Sequence, residues 1–142
     1  MKRLMFSFGI VLLFLSGCQI LGTDGPDAPK VSVEPAPVFV EEQLSITIRS
    51  AMPFYIPSCG GITYDIERQE AKGWIEYEGY GRYCSGTFGY ITHVEQFVIL
   101  SSQISEAGTY RIKSAYKFKE AEEMQPLYSA PFEVKNYDYG PH

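Results

Sequence analysis

The chain has 142 residues, of which 45% are hydrophobic and 15% aromatic. This is enough material for one domain with its own packed core. Its 17 acidic residues outnumber the 12 basic ones, which gives a formal net charge of −5. Nucleic acid and anionic lipid head groups repel a negatively charged domain, so the composition argues against both as partners.

The N-terminal residues have the layout of an export signal. Met1–Arg3 supply positive charge, and an apolar run follows from Leu4 to Leu15. The run is shorter than the ~20 residues that a lasting membrane-spanning helix needs. The sequence Leu15-Ser16-Gly17-Cys18 resembles the lipobox of bacterial lipoproteins, in which the cysteine is lipidated and the chain is cut before it. The resemblance implies that residues 1–17 are a signal peptide and that Cys18 becomes the acylated first residue.

The same resemblance places the protein in the bacterial cell envelope, attached to a membrane through lipid alone. Lipoproteins retained in the inner membrane of two-membrane bacteria often carry Asp after the lipidated cysteine. Gln19 stands there in this chain, which favours the outer membrane. Residues 18–30, with their Gly, Pro and Asp, indicate a short flexible tether. The domain is therefore expected over residues 31–136, followed by a C-terminal tail at 137–142.

From Lys30 onward, apolar and polar residues alternate as they do in β-strands. Pro35 and Pro37 interrupt the first strand, which is typical of a sheet edge. Further strands are predicted around Leu44–Ile48, Ile62–Ile66, Trp74–Tyr77, Val94–Leu100, Tyr110–Phe118 and Leu127–Lys135. A helical turn is conceivable only at 120–124. About seven to eight short strands with regular turn signals predict an all-β, antiparallel sandwich.

The segment Glu106–Ile112, EAGTYRI, resembles the start of strand F in immunoglobulin-like domains. In that tyrosine corner, the tyrosine hydroxyl bonds back to nearby backbone while its ring fills the core edge. The resemblance gives the turn to Gly108 and the corner to Tyr110, and it implies an immunoglobulin-like sandwich over the predicted domain. Two features differ from antibody domains. Ile112 replaces the inter-sheet cysteine, and Trp74 falls one strand later than the core tryptophan.

Cys59 and Cys84 are the two cysteines of the predicted domain. An exported compartment permits disulfides, and an even pair is most simply one bridge. It would close a loop of about 25 residues and stabilise the fold by roughly 3 kcal/mol. A metal site is the alternative, although two cysteines without nearby histidines are a poor ligand set. We therefore expect a disulfide, and no metal or cofactor.

Residues 77–90 contain five aromatic residues and four glycines. Glycine weakens strands and permits unusual backbone angles, so a long loop is predicted. A mixture of Tyr, Gly, Ser and Arg is typical of binding loops. The candidate contact residues are Tyr77, Tyr80, Arg82, Tyr83, Phe88 and Tyr90. The disulfide would hold this loop against residues 57–61. The alternative is that the rings form a small core around the disulfide.

No pattern of catalytic residues is found. His93 is the only histidine of the predicted domain, and without a nucleophile motif it indicates a hydrogen-bonded strand end. The acidic pairs Glu41-Glu42 and Glu122-Glu123 suit solvated turns better than a glycosidase dyad. The sequence contains no nucleophile elbow, phosphate-binding loop or metal-ligand cluster. We therefore predict that the protein is not an enzyme.

Four basic residues share one face of the strand predicted around Tyr110–Phe118: Arg111, Lys113, Lys117 and Lys119. They could bind a polyanion such as a lipid A phosphate or a peptidoglycan carboxylate. The favoured interpretation is an outer sheet face whose cations pair with acidic residues on neighbouring strands.

Taken together, these features predict a lipid-anchored envelope module that binds another protein or an envelope polymer through the Tyr/Gly-rich loop or a sheet edge. A second hypothesis is a protease inhibitor that presents the 78–90 loop to an active-site cleft. The small bacterial intracellular proteinase inhibitors resemble this chain in having an immunoglobulin-like fold and a similar Gly-x-Tyr strand. A third hypothesis is a structural spacer, which would be indifferent to changes in the loop.

Overall fold

The computed structural model describes residues 27–80 and 90–138. In these ranges the chain forms eleven β-strands and no helix. In chain order they are β1 Lys30–Glu34, β2 Val38–Phe39, β3 Gln43–Arg49, β4 Phe54–Ser58, β5 Tyr64–Glu70, β6 Gly73–Tyr80, β7 Tyr90–Val94, β8 Phe97–Gln103, β9 Gly108–Tyr116, β10 Gln125–Tyr128 and β11 Phe132–Lys135. The all-β class predicted from the alternating pattern is confirmed.

Two main sheets enclose the core. One has three strands in the order β1-β3-β8, and the other runs β2-β11-β9-β5-β6, with β10 also paired to β9. A shorter ladder joins β4 to β7. The pairings are antiparallel except that β11 runs parallel to β2. The predicted antiparallel arrangement is therefore confirmed in the described strands, with the β2–β11 pair as the exception.

The alternation of side chains in β3 builds one side of the core. Leu44, Ile46 and Ile48 are fully buried, whereas Ser45 and Thr47 between them are half-buried on the outer face. Each buried aliphatic side chain contributes about 2 kcal/mol through removal from water. The period of two in the sequence thus becomes one dry face and one wet face.

The larger sheet supplies the opposite side of the core. Ile66 of β5 and Ile112 of β9 are fully buried and lie directly across from each other in the ladder. Tyr110 is also fully buried. Because β9 pairs with β5 on one edge and with β10 and β11 on the other, it is the central strand of this sheet.

The number of strands is a correction: eleven replace the predicted seven to eight. Residues 54–58 form β4, and the segment predicted as one strand around Val94–Leu100 is divided between β7 and β8. The last predicted strand is divided at Ser129, whose hydroxyl accepts a hydrogen bond from the Ile112 amide at 2.9 Å. Its own amide donates to the Ile112 carbonyl at 2.9 Å. One residue thus replaces a stretch of regular pairing.

β4 and β5 lie one after the other beside β9 and the residue that follows it. Asp65 of β5 pairs with Lys113, and Tyr55 of β4 pairs further along at Lys117. On their outer side, β6 pairs with β5 and β7 pairs with β4. Two rows of β-structure therefore run side by side, one formed by β4 and β5 and the other by β7 and β6.

Candidate binding surfaces

The residues on either side of two segments pair with each other. The first row leaves the ladder after Ser58 and returns at Tyr64, and in the second row residues 81–89, between β6 and β7, lie outside the described residues. Tyr64 pairs with Tyr80, and Ser58 pairs with Tyr90. The residues that flank 59–63 are therefore paired with the residues that flank 81–89.

Residues 59–63 form a tight loop. The Cys59 amide donates to the Gly61 carbonyl at 2.7 Å, and the Thr63 amide donates to the Pro57 carbonyl at 2.9 Å. Gly60 has a φ of +69°, a backbone conformation that side chains other than glycine rarely adopt. Gly60 thus allows the chain to leave β4 and return to β5 within five residues.

Cys59 is in the disulfide form in this structure. Cys84 lies outside the described residues, as does Cys18, so the predicted Cys59–Cys84 pairing remains a prediction. Tyr80 and Tyr90, which flank the segment with Cys84, pair with Tyr64 and Ser58 at the two ends of the Cys59 loop, and this arrangement is compatible with the predicted bridge.

Of the six residues predicted to contact a partner, Arg82, Tyr83 and Phe88 lie outside the described residues. Tyr80 is the last residue of β6, and Tyr90 is the first residue of β7. The predicted loop over 77–90 is therefore corrected at both ends. β6 continues through Gly79 because its backbone pairs with β5 there.

Tyr77, the sixth candidate, is half-buried at the edge of the core. Its ring packs edge-on against Tyr110, with centroids 5.1 Å apart. Its hydroxyl shares a hydrogen bond with the Ser105 hydroxyl at 2.9 Å. These contacts tie β6 to the segment after β8, so this ring is engaged within the protein.

Tyr110 makes the hydrogen bond expected of a tyrosine corner. Its hydroxyl donates to the Glu106 carbonyl at 2.9 Å, and burial raises its pKa to about 12. A Cβ on Gly108 would lie 3.2 Å from both the Tyr110 ring and Arg68 Nε. Glycine is therefore the residue that lets the turn approach this ring closely.

Arg68 closes the corner from β5. Its guanidinium donates to the Glu106 carboxylate at 2.5 Å and to the Ala107 carbonyl at 3.3 Å. The hydrogen bond to Glu106 raises the pKa of Arg68. This arginine was not identified from the sequence, since no motif marks it. It becomes visible only when the register brings β5 beside β9.

The basic stripe is paired within the protein. Arg111 donates to Glu67 Oε2 through Nε at 2.7 Å and approaches the same oxygen through Nη2 at 2.6 Å. Lys113 Nζ lies 3.2 Å from Glu67 Oε1, and the hydrogen bond to Glu67 raises the pKa of Lys113. Lys119 pairs with Glu122 at 3.5 Å. The favoured interpretation, an outer face whose cations pair with acidic residues on neighbouring strands, agrees with this geometry for Arg111 and Lys113.

Lys117 is a correction to that interpretation. Its side chain is buried and donates a hydrogen bond to the Glu120 carbonyl, so it belongs neither to a solvated face nor to an ion pair among the described residues.

Two aromatic rings complete the site around Glu67. The Arg111 guanidinium lies 4.4 Å from the Trp74 ring centroid and 4.2 Å from that of Tyr128. The Glu67 side chain is only 9% exposed although it lies on the outer face of the sheet. We call this group of five side chains the Glu67 cluster: Glu67, Trp74, Arg111, Lys113 and Tyr128.

The candidate catalytic groups have structural partners. His93 is partly exposed, 3.4 Å from Glu95 and edge-on to the Tyr55 ring. Glu42 accepts a hydrogen bond from the Phe39 amide at 2.9 Å. Glu122 accepts from two amides at the turn after β9. These contacts agree with the prediction of turn and strand-end roles for these residues.

Within the described residues, no three side chains among His, Cys, Asp and Glu are grouped so that they could hold a metal ion. The same part of the chain contains no helix with the length and apolarity needed to span a membrane. The sequence matches no protein-family model and no curated protein.

Proposed function

We propose that the protein is a lipid-anchored, non-catalytic binding module of the bacterial cell envelope with an immunoglobulin-like fold. The anchor would be the lipidated Cys18, and the membrane would be the outer membrane. The partner would be another envelope protein or an envelope polymer. Nucleic acid is not expected, because the chain is acidic.

The strand order supports the immunoglobulin-like part of the proposal. β1, β3 and β8 correspond to strands A, B and E of such a domain, and β5, β9 and β10–β11 correspond to C, F and G. The hydrogen bond from Tyr110 to Glu106 lies at the start of the strand that corresponds to F. β6 then occupies the place of the additional strand beside C in variable-type domains.

The observation that carries the binding proposal is the backbone pairing of the residues that flank 59–63 with the residues that flank 81–89. Tyr64 faces Tyr80, and Ser58 faces Tyr90. A Cys59–Cys84 disulfide there would hold residues 59–63 and 81–89 together and reduce the entropy that binding costs. The proposed contact residues are Tyr80, Arg82, Tyr83, Phe88 and Tyr90. The three tyrosines among them would supply broad contact area with few rotatable bonds.

The anchor is tested with Cys18→Ser. The wild-type protein should be found in the membrane fraction, and the variant should not. Mass spectrometry of the wild-type N-terminus should find acyl chains on Cys18. An unmodified Cys18 in the wild type would contradict the lipoprotein proposal, whatever the domain binds.

The contact surface is tested by cross-linking the protein to detergent-solubilised envelope from its own cells. Tyr80→Ala/Tyr83→Ala is compared with the wild type and with Tyr137→Ala, which changes an exposed tyrosine beyond β11. Loss of one cross-linked partner in the double variant alone supports the proposal. Equal capture by all three proteins contradicts this location.

The protease-inhibitor hypothesis makes a different prediction for the same variants. An inhibitor would block a purified envelope protease at nanomolar concentration, and the Tyr80→Ala/Tyr83→Ala variant would lose that inhibition. A spacer would show neither capture nor inhibition. These outcomes separate the three classes without requiring knowledge of the partner in advance.

A further inference from the structure

Two hydrogen bonds, one at each end of β8, establish the direction in which its backbone N–H and C=O groups point. The Ser50 amide donates to the Gln96 carbonyl at 3.0 Å, and the Glu41 amide donates to the Ile104 carbonyl at 2.8 Å. Both carbonyls therefore point toward β3. Because backbone groups alternate in direction along an antiparallel strand, the even-numbered residues of β8 bond to β3.

The odd-numbered residues consequently point the other way, to the outer edge of β8. The Tyr64 hydroxyl reaches the Ser101 carbonyl from that side, at 3.1 Å. No strand in the described part of the chain pairs with this edge. The residues whose N–H and C=O groups face it are Phe97, Ile99, Ser101 and Gln103. We call this row the free edge of β8.

The free edge of β8 lacks the usual protection against strand pairing. Natural edge strands carry charges or prolines that prevent another strand from adding to them. β1 is followed by Pro35 and Pro37, and β6 carries Glu76 and Glu78. Residues 96–104, QFVILSSQI, contain neither a charge nor a proline. β8 is thus the edge on which strand addition meets least resistance.

Two large apolar side chains on β8 are exposed. Ile99 is 63% exposed and Phe97 is 48% exposed. Both lie on the outer face of their sheet, beside β3. In immunoglobulin constant-type domains a fourth strand, D, extends this sheet beyond the strand that corresponds to β8. A strand added here would occupy an established position of the fold and cover both side chains.

An acidic groove lies at the C-terminal half of β8. Its volume is about 830 Å³, and its walls include Gln103, Ser105 and Tyr77. Glu41 and Glu78 also line it. Among the described residues, neither carboxylate has an ion-pair partner. The groove is therefore complementary to a basic side chain.

We infer that the free edge of β8 binds an extended segment of a partner protein as an added β-strand, with apolar side chains over Phe97 and Ile99 and a basic side chain in the groove between Glu41 and Glu78. Main-chain hydrogen bonds supply affinity in this mode, and alternate side chains supply specificity. The inference goes beyond the proposed function, because it requires neither the lipid nor residues 81–89.

A second copy of the chain fits this surface less well. Its β8 has no basic residue to meet Glu41 and Glu78. The net charge of −5 also makes two copies repel each other. A basic peptide, in contrast, is attracted by the protein as a whole and by the groove in particular.

The test uses the purified protein and fluorescein-labelled peptides of about ten residues, the length of a long strand. In the probe, two apolar residues alternate with Thr, and a Lys follows four positions after the second of them. The reversed sequence is tested as well, because an added strand can run in either direction. The control peptide carries Glu in place of Lys. Binding is followed by fluorescence anisotropy.

Ile99→Pro is the main variant. The Ile99 amide points to the free edge, so proline removes a donor there and leaves the bonds to β3 intact. We expect saturable binding of the Lys peptide below ~1 mM and at least a tenfold weaker Kd in the variant. Ile99→Val is the matched control and should bind like the wild type. If Ile99→Pro does not fold, Ile99→Lys is used, since an edge lysine also opposes strand addition.

The charges are tested separately with Glu41→Gln/Glu78→Gln, which should weaken binding of the Lys peptide about fivefold. Equal affinity for the Lys and Glu peptides would overturn the assignment of a basic partner. Absence of binding by either orientation, or binding unchanged in Ile99→Pro, would overturn the docking surface itself. Concentration-dependent dimerisation abolished by Ile99→Pro would overturn it in favour of a second copy.

Discussion

The Glu67 cluster and the free edge of β8 both lie at the outside of a sheet, and they differ in whether their outward-facing groups have partners within the described chain. In the cluster, one carboxylate holds two cations while two rings cover the guanidinium. At the free edge, backbone groups and two apolar side chains face outward without a partner strand in the described chain.

This difference matters for binding. A ligand that seeks Arg111 must compete with Glu67 and lift two aromatic rings, so most of its interaction energy would be offset. A strand that pairs with β8 displaces only water and gains regular hydrogen bonds along its length. The Glu67 cluster therefore contributes stability, and the free edge of β8 is available for recognition.

The largest effect is expected from Glu67→Ala, which breaks the cluster. Arg111 and Lys113 would lose their shared carboxylate on a face where Glu67 is almost completely buried. We expect a loss of about 3 kcal/mol in the free energy of unfolding, measured with urea. Glu133→Ala removes the exposed partner of Lys135 and should cost at most about 0.5 kcal/mol. Similar losses in both variants would contradict the contrast.

A high-pH effect should appear in the larger sheet and not at the free edge. Burial raises the pKa of Tyr110 to about 12, so the folded state keeps the proton that the unfolded chain releases near pH 10. This contribution is complete below pH 10 and is lost as the pH rises toward 12. At pH 11 the free energy of unfolding of the wild type should be lower than at pH 9 by about 1 kcal/mol.

Tyr110→Phe is the control for this pH dependence. Phenylalanine has no hydroxyl to titrate, so the variant should lack this part of the decline in the urea midpoint. A decline of the same size in both proteins would assign it to other tyrosines and would contradict the role given to the buried hydroxyl.

A smaller effect is expected from Tyr64→Phe, which acts on the free edge from inside the core. The variant loses the hydrogen bond to the Ser101 carbonyl. Its free energy of unfolding should therefore be lower than that of the wild type by about 1 kcal/mol. The carbonyl that it releases becomes an acceptor for an added strand. The Lys peptide should therefore bind this less stable protein more tightly, and weaker binding would argue against strand addition at Ser101.

The smallest effect on stability is expected from Ile99→Thr. The Ile99 side chain is 63% exposed, and threonine keeps the strand preference of a β-branched residue. The free energy of unfolding, measured by thermal denaturation, should change by no more than about 0.5 kcal/mol. A much larger shift would mean that Ile99 already packs against a part of this chain, and that the edge is occupied.

The sequence is sufficient to predict the class of the fold, because residues such as Leu44, Ile46 and Ile48 repeat with a strict period of two. It is not sufficient to count the strands. β4 ends in Pro57-Ser58, which has the composition of a turn, and its pairing with β7 depends on residues far away in the chain. Such short strands form because long-range pairing outweighs weak local preference.

The sites show the same division. Tyr110 and Gly108 were predictable because a corner has a local motif, and their close contact is present. Glu67 and Arg68 carry no such signal. Their roles depend on register, which places Glu67 opposite Arg111 and Arg68 opposite Tyr110. The free edge likewise cannot be recognised in the sequence, since a strand lies at an edge only when no other strand pairs with one of its sides.

The most direct measurement is residue-resolved amide hydrogen exchange of the purified protein, with and without the Lys peptide. In the free protein, the amides of Val98 and Leu100 should be protected by β3, while those of Ile99 and Gln103 should exchange rapidly. Saturating peptide should slow exchange at Ile99 and Gln103 and leave Val98 and Leu100 unchanged. Protection of Ile99 and Gln103 before any peptide is added, or none after it, would contradict the account.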